Sequence, residues 1–402
     1  MTFALLVGFL LNQVKGAYQR EIDDFLGAVQ IPQRVSAAAL CKARRALKSS
    51  VFAELNAELL VHAGALLQPT YWHQRRVMAV DGSVLNLPKT PAMFAAFGGQ
   101  RMGVKQGGAH LPMARFSQLY DVSSGVSWHA CVEPYALGEA VAAAEHLEHA
   151  PADALVLYDR GYPSFFLIAL HKLRQRDFCM RVPRGFSRAT DALFADSQQT
   201  SVAFDLEANR SARALCQEHS VPTAAVRLRA VRIELPTCVE VLITSLHDTN
   251  AYPDLEFAAL YAQRWSVEGD FRQLKSRLQL ENWSGKSPES VRQDVLARVL
   301  CKNVVNVVIC EAQRRLDRER ALTQEAGMVV SKHRKTINAT AALHLCKFQL
   351  VAYLLAPNEQ TLEPLISQML KNTHAQRPGR SCVRCEKRGK SNRYPMPYKQ
   401  TA

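Results

Sequence analysis

The stretch Ala154-Leu-Val-Leu-Tyr-Asp159-Arg-Gly-Tyr-Pro163 decides how the chain is read. A short apolar run ends on a carboxylate and is then broken by Gly and Pro, the pattern of a buried strand closed by a turn. Ser164–Gln175 continues with helical patterning. Phe178–Val182 is another short apolar run, closed by Pro183-Arg184-Gly185. Strand, helix and strand in this order argue for an α/β domain with helices on its sheet. Working outward, Arg75-Arg-Val-Met-Ala-Val-Asp81 is a second apolar strand ending in a carboxylate, with Gly82-Ser83 expected to turn the chain. Ala114–Val122 and Val126–Glu133 alternate around Ser123-Ser124-Gly125 and read as a hairpin. Gly138–His149 reads as a helix. Asp81 and Asp159 thus stand at strand ends, where α/β sheets place their active sites.

A third acid lies in Tyr261-Ala-Gln-Arg-Trp-Ser-Val-Glu-Gly-Asp-Phe-Arg-Gln-Leu-Lys275. This segment lacks Pro, and Pro253-Asp254 precedes it as a start signal, so one helix over residues 254–280 is expected. At about 100° per residue, Tyr261, Arg264, Glu268 and Lys275 share one stripe. Leu260, Val267, Phe271, Leu274 and Leu278 share a neighbouring apolar arc that can dock on a core. An acid among cations is equally a solvated, salt-bridged face, so the meaning of Glu268 depends on partners. Trp265, inside the same segment, reads as a packing residue.

The chain has 402 residues, enough for two or three domains. Its 50 Lys and Arg against 36 Asp and Glu leave a formal net charge of +14, which suits an acidic partner such as nucleic acid. Eight cysteines are scattered singly in apolar or helical contexts, as in a reduced, cytoplasmic protein. Cys382-Val-Arg-Cys385 lacks the second ligand pair of a zinc site. The apolar start, Thr2 to Leu11, is too short for a membrane span and has no basic flank, so it reads as a buried helix. Its abrupt opening suggests that residues precede Met1.

Residues 1–70 read as helical, with Ser36 capping a helix Ala37–Lys48 that carries Lys42, Arg44, Arg45 and Lys48, followed by a helix from Val51 to about Leu66. Such a region suits a small DNA-contacting domain, or a helical cap with a solvated basic face. The catalytic fold occupies 71–185. Residues 186–250 are more polar and hold strand-like runs at Ser201–Leu206, Ala224–Glu234 and Val239–Ser245, the pattern of an inserted, mostly-β subdomain. Residues 251–285 carry the Glu268 helix, 286–370 a C-terminal helical region, and 371–402 a basic flexible tail.

Three convergent carboxylates suffice to hold hard divalent ions such as Mg²⁺. Two such ions activate an attacking hydroxyl and steady the leaving oxygen of a phosphodiester, and phosphoryl transfer is mostly positioning plus charge neutralisation. Asp81, Asp159 and Glu268 together with a basic chain point to that chemistry.

At this level of detail the sequence resembles the insertion-sequence-4 family of DDE transposases. Tyr261, Arg264, Glu268 and Lys275 reproduce its Y-x2-R-x3-E-x6-K signature. Val80-Asp81-Gly-Ser83 looks like its first-aspartate motif and Tyr158-Asp159-Arg-Gly-Tyr162 like its second. Ser36–Phe52 more weakly resembles its end-binding helices. The resemblance implies an RNase H-like core with a β insertion, and Asp81, Asp159 and Glu268 as catalytic acids holding two Mg²⁺ or Mn²⁺ ions. It implies cut-and-paste transposition on double-stranded DNA, at terminal inverted repeats and target, by a homodimer in the bacterial cytoplasm with no membrane partner. Tyr261, Arg264 and Lys275 would contact phosphates, and Arg44 and Arg45 would recognise the ends. The four tryptophans, Trp72, Trp128, Trp265 and Trp283, all lie outside 186–250, where some members place a base-stacking Trp. The alternatives are a catalytically inactive DNA-binding regulator or domesticated copy, and a cellular structure-specific nuclease.

Overall fold

A computed structural model of the protein describes residues 1–12, 16–67, 69–102, 109–236, 238–347, 349–356 and 359–377. Residues 103–108, Cys382-Val-Arg-Cys385 and most of the basic tail lie outside these. The chain divides into two units. The first takes Met1–Leu67, Asn86–Ala95 and Gln273–Ala402, and the second Gln68–Leu85 and Ala96–Arg272.

The first unit opens with α1 (Phe3–Leu11), α2 (Tyr18–Ala28), α3 (Ala37–Arg45) and α4 (Ser50–Leu67). Thr2 and Ser36 cap α1 and α3, their hydroxyls accepting the Leu5 and Ala39 N–H at 3.4 and 3.2 Å. Among the described residues α4 is the one helix long and apolar enough to cross a membrane. It nevertheless carries Glu54, Asn56 and Glu58, and Asn56 is buried. The short helix α5 (Pro91–Phe97) follows.

The second unit is built on β1 (Tyr71–Trp72), β2 (Arg75–Asn86), β3 (Gly99–Met102), β4 (Ala109–Asp121), β5 (Ser127–Pro134), α6 (Glu139–His149), β6 (Ala154–Tyr158), α7 (Phe165–Arg174) and β7 (Asp177–Val182). It continues with α8 (Arg188–Ala195), β8 (Ser201–Leu206), α9 (Arg210–Glu218), β9 (Val226–Glu234), β10 (Val239–Thr244), α10 (Phe257–Ala262) and α11 (Trp265–Arg272). Ten strands form one mixed sheet in the order β3-β4-β2-β6-β7-β10-β9-β8, with β1 on β2 and β5 on β4. The pairs β2–β6 and β6–β7 are parallel, while β7–β10, β10–β9 and β9–β8 are antiparallel. Every residue of β6 is buried, as expected for a parallel strand with helices over its faces. Val156 and Tyr158 share a core with Phe166, Leu167 and Ile168 of α7. Each such apolar side chain contributes roughly 1.5–3 kcal/mol when fully buried.

Three expectations change. First, Gly82-Ser83 makes no turn, since β2 runs through it to Asn86. A Cβ on Gly82 would lie 3.3 Å from the Tyr162 hydroxyl and 3.5 Å from the Phe116 carbonyl, so glycine here serves close approach within an extended strand. Second, the strands of 186–250 extend the main sheet. β10 pairs with β7 from Val241↔Val182 to Thr244↔Cys179, covering what would otherwise be an open edge. That segment also contains α8 and α9. Third, the helix expected over 254–280 is interrupted. A 3₁₀ turn (Asp254–Glu256) leads into α10, and Gln263 and Arg264 separate α10 from α11. The N–H groups of Gln263, Arg264, Ser266 and Val267 all bond three residues back, tightening the turn.

The chain returns to the first unit through a π-helical turn, Gln273–Arg277. Then come α12 (Pro288–Glu325), β11 (Lys335–Ile337), α13 (Ala339–Cys346), α14 (Gln349–Leu355), α15 (Glu359–Lys371) and β12 (Thr373–Ala375). Ser287 and Ser290 form a capping box at the start of α12, with Pro288 in its first turn. α12 packs on α4, where the Asn303 side-chain amide donates to Asn56 Oδ1 at 2.6 Å.

Candidate active site

Strand register sets the first two acids side by side. In the parallel β2–β6 pair Val80 lies opposite Tyr158, so the next residues, Asp81 and Asp159, emerge together from adjacent strands. Neighbouring strands run about 4.8 Å apart. The Gly82 N–H donates to Asp81 Oδ1 at 2.8 Å. Burial, with help from Glu268 and Asp159, pushes the Asp81 carboxyl up to about 6, against the opposing pull of the Gly82 N–H and Arg264. Burial also acts on Asp159, but the Arg160 N–H and the guanidiniums of Arg264 and Arg181 outweigh it and hold that carboxyl below its usual value.

Arg264, at the bend between α10 and α11, is 1 % exposed. Its Nη1 lies 3.8 Å from Asp81 Oδ2 and its Nη2 donates to Glu268 Oε1 at 3.3 Å, while its Nε has no partner. One guanidinium thus faces both Asp81 and Glu268. The Tyr261 hydroxyl donates to the Tyr158 carbonyl at 3.2 Å and lies 3.5 Å from Asp159 Oδ1. On the other side Arg181, from β7, donates to Asp159 at 2.6 Å and also pairs with Glu240.

Tyr261 and Arg264 were expected on a DNA-facing stripe, yet both are buried and their polar groups are turned to the carboxylates. Trp265, expected to pack inside, is 53 % exposed, with the Arg264 guanidinium 5.0 Å over its ring. Lys275 belongs to the first unit. It is half-buried there, and burial lowers its pKa against the opposing effect of Glu281. Arg45 is exposed, but Arg44 is not available to DNA. Its guanidinium is buried against Asp294 at 2.9 Å, donates to Gln293 at 2.5 Å and to the Ser290 carbonyl at 2.8 Å, and also bonds Ser284. Sequence reasoning missed Arg181. Its signal was a lone arginine inside the apolar run Phe178–Val182, which demands an acidic partner.

Asp81, Asp159 and Glu268 offer only oxygen donors, the chemistry of a hard divalent ion, but they are not among the described groups whose ligand atoms gather within 4.8 Å of one another. The Arg264 guanidinium drawn between Asp81 and Glu268 marks the same spot as one that collects positive charge.

A family model described as a transposase DDE domain matches residues 72–304, more than half of the chain. The chain is 23 % identical over 269 residues to "Transposase InsG for insertion sequence element IS4" of Escherichia coli (strain K12). That alignment covers 65 % of this chain and 59 % of the relative. A solved piggyBac transposase synaptic complex with hairpin DNA matches over 96 % of this chain and 77 % of that one, at 11 % identity and a TM-score of 0.39, a likeness on which nothing further rests. On the family match over its central residues, the chain belongs to the DDE transposases, of the insertion-sequence-4 kind.

Proposed function

We propose that the protein is a DNA transposase that cuts an insertion sequence out at its ends and joins it to target DNA by divalent-metal-dependent phosphoryl transfer. The observation that carries this is the pairing of Asp81 and Asp159 on adjacent strand ends, with Glu268 turned to the same guanidinium as Asp81. The order β5-β4-β2-β6-β7, with its β-α-β continuation, supports reading this part of the sheet as an RNase H-like core. The strands β8 to β10 then form the insertion between the second and third acids.

In this reading Asp81, Asp159 and Glu268 hold two Mg²⁺ or Mn²⁺ ions. When bound, these supply an activated hydroxyl and neutralise charge on the leaving oxygen. Arg264 balances Asp81 and Glu268 before the ions arrive. Arg181 and Tyr261 fix the rotamer of Asp159, whose ionised form is ready at neutral pH. Tyr261 and Arg264 are therefore positioning groups. Phosphate contact falls to other cations, with the exposed Arg45 and the half-buried Lys275 as candidates. The partners are the terminal inverted repeats and target duplex, bridged by a homodimer in the bacterial cytoplasm.

The test is cleavage of duplex DNA carrying the repeats that flank the gene. Wild-type protein is expected to cut only with Mg²⁺ or Mn²⁺, and Asp159→Ala to lower the rate by at least about a thousandfold, in line with losing electrostatic stabilisation at the reacting phosphate. Equal cutting by the variant would remove Asp159 from the site.

A further inference from the structure

A second constellation lies where α6 covers β5. His129 stacks on His149, with ring centroids 3.9 Å apart and planes 12° apart. His129 Nε2 lies 3.7 Å from Glu145 Oε1. His129, Glu145 and His149 each bring one ligand atom within 4.8 Å of the others, and Cys131 and Glu133 do the same with Glu145. The two sets adjoin because residues 129, 131 and 133 share one face of β5.

The hydrogen bonds behind His129 determine which of its nitrogens faces this cluster. Ser117 Oγ lies 3.4 Å from the Asp81 backbone carbonyl and 2.8 Å from Nε2 of the fully buried His146. A hydroxyl has one hydrogen, and a carbonyl can only accept. With that hydrogen on the carbonyl, Ser117 Oγ accepts from His146 Nε2–H. His146 Nδ1 is then bare, and it accepts from His129 Nδ1–H across 2.8 Å. His129 Nε2 is left presenting a lone pair towards a carboxylate that has no hydrogen to offer. Two electron-pair donors facing each other in this way are stabilised by a cation between them.

We propose that His129 Nε2, His149 and Glu145 bind a divalent transition-metal ion of the zinc class, with His146 and Ser117 as the hydrogen-bonded support that orients His129. Two imidazoles and a carboxylate are a set that zinc takes, with a fourth position for water or the neighbouring Cys131. A second ring bonded behind a ligating histidine is the usual device for holding it in aim. The nitrogen ligands set this site apart from the all-oxygen acids at the strand ends, which suit Mg²⁺. Ligand bonds of about 2.0–2.2 Å require the three atoms to close up by roughly 1 Å. Glu145 and His149 are exposed on α6 and free to do so, His149 tilting off its stack. The bound ion clips α6 to β5. None of this depends on the transposase reading.

The test uses full-length protein carrying Asp81→Asn and Asp159→Asn, so that the strand-end acids take up no metal. Zinc chloride is titrated by calorimetry, and Co²⁺ is added as a coloured probe of coordination. One Zn²⁺ per chain is expected, with four-coordinate Co²⁺ bands in the visible. His149→Ala and Glu145→Gln, both at exposed positions, should each weaken binding at least about tenfold while the circular-dichroism spectrum stays unchanged. His146→Asn should weaken it by about 10–100-fold. Absence of Zn²⁺ binding, or binding left intact by both His149→Ala and Glu145→Gln, overturns the proposal.

Discussion

Asp81 and Asp159 have the same chemistry and opposite surroundings. Asp81 ionises at about 6 when folded, against 3.8 for a free side chain. Between those values the folded chain holds a proton that the unfolded chain has released. Metal-free stability therefore falls as pH rises through this window, by up to about 3 kcal/mol, and stays low above it. Asp81→Asn should accordingly melt higher than wild type at pH 8 in EDTA, with the gap closing towards pH 4. A variant that melts lower at pH 8 would contradict the burial argument. Arg44 poses the converse case, a buried cation paired with Asp294 inside the first unit. Arg44→Ala leaves that buried carboxylate with Arg298, 3.9 Å away, as its remaining counter-charge, and should cost about 3 kcal/mol in a denaturant melt. Arg45→Ala, one residue on and exposed, should cost less than about 0.5 kcal/mol.

The bend between α10 and α11 places the Arg264 guanidinium between Asp81 and Glu268. Because both acids keep some contact with solvent, Arg264→Ala should destabilise the metal-free protein by only about 1–3 kcal/mol. The loss should be larger at pH 8 than at pH 5, where Asp81 regains its proton. Melts at the two pH values check this, and a larger loss at pH 5 would refute it. Arg264→Lys should rescue little, since one ammonium cannot span both carboxylates as the planar fork does. The bend also marks where sequence stops being legible. The strands around Asp81 and Asp159 could be read because apolar runs and breakers are local signals, and β8 to β10 fell within two residues of their expected ends. Other features depend on partners distant in sequence. The tightened turn at Gln263–Arg264 surrounds an arginine whose acid partner Asp81 lies in another element. Gly82 stays extended because Tyr162 and Phe116 come close. The strands of 186–250 join the sheet because β7 offers an edge. Arg44 and Arg45 look alike until Asp294 is brought in.

Over the full chain, a net charge of +14 means that the proposed backbone contact with DNA should depend on salt. If about six phosphates are neutralised, affinity for nonspecific duplex should fall about a thousandfold between 50 and 200 mM salt. Fluorescence anisotropy would show this, and a flat salt response would exclude phosphate contact as the main attraction. Both compact units are also assembled from discontinuous chain. Arg44 lies 250 residues ahead of Asp294. At a synthesis rate of roughly 5–20 residues per second, the four N-terminal helices wait on the order of 10–50 s for α12. During that interval they carry uncovered apolar faces and a cation with no counter-charge, a natural substrate for holding chaperones. A gene copy interrupted before α12 therefore leaves the first unit without its longest helix, while the second unit, whose chain ends at Arg272, is already complete.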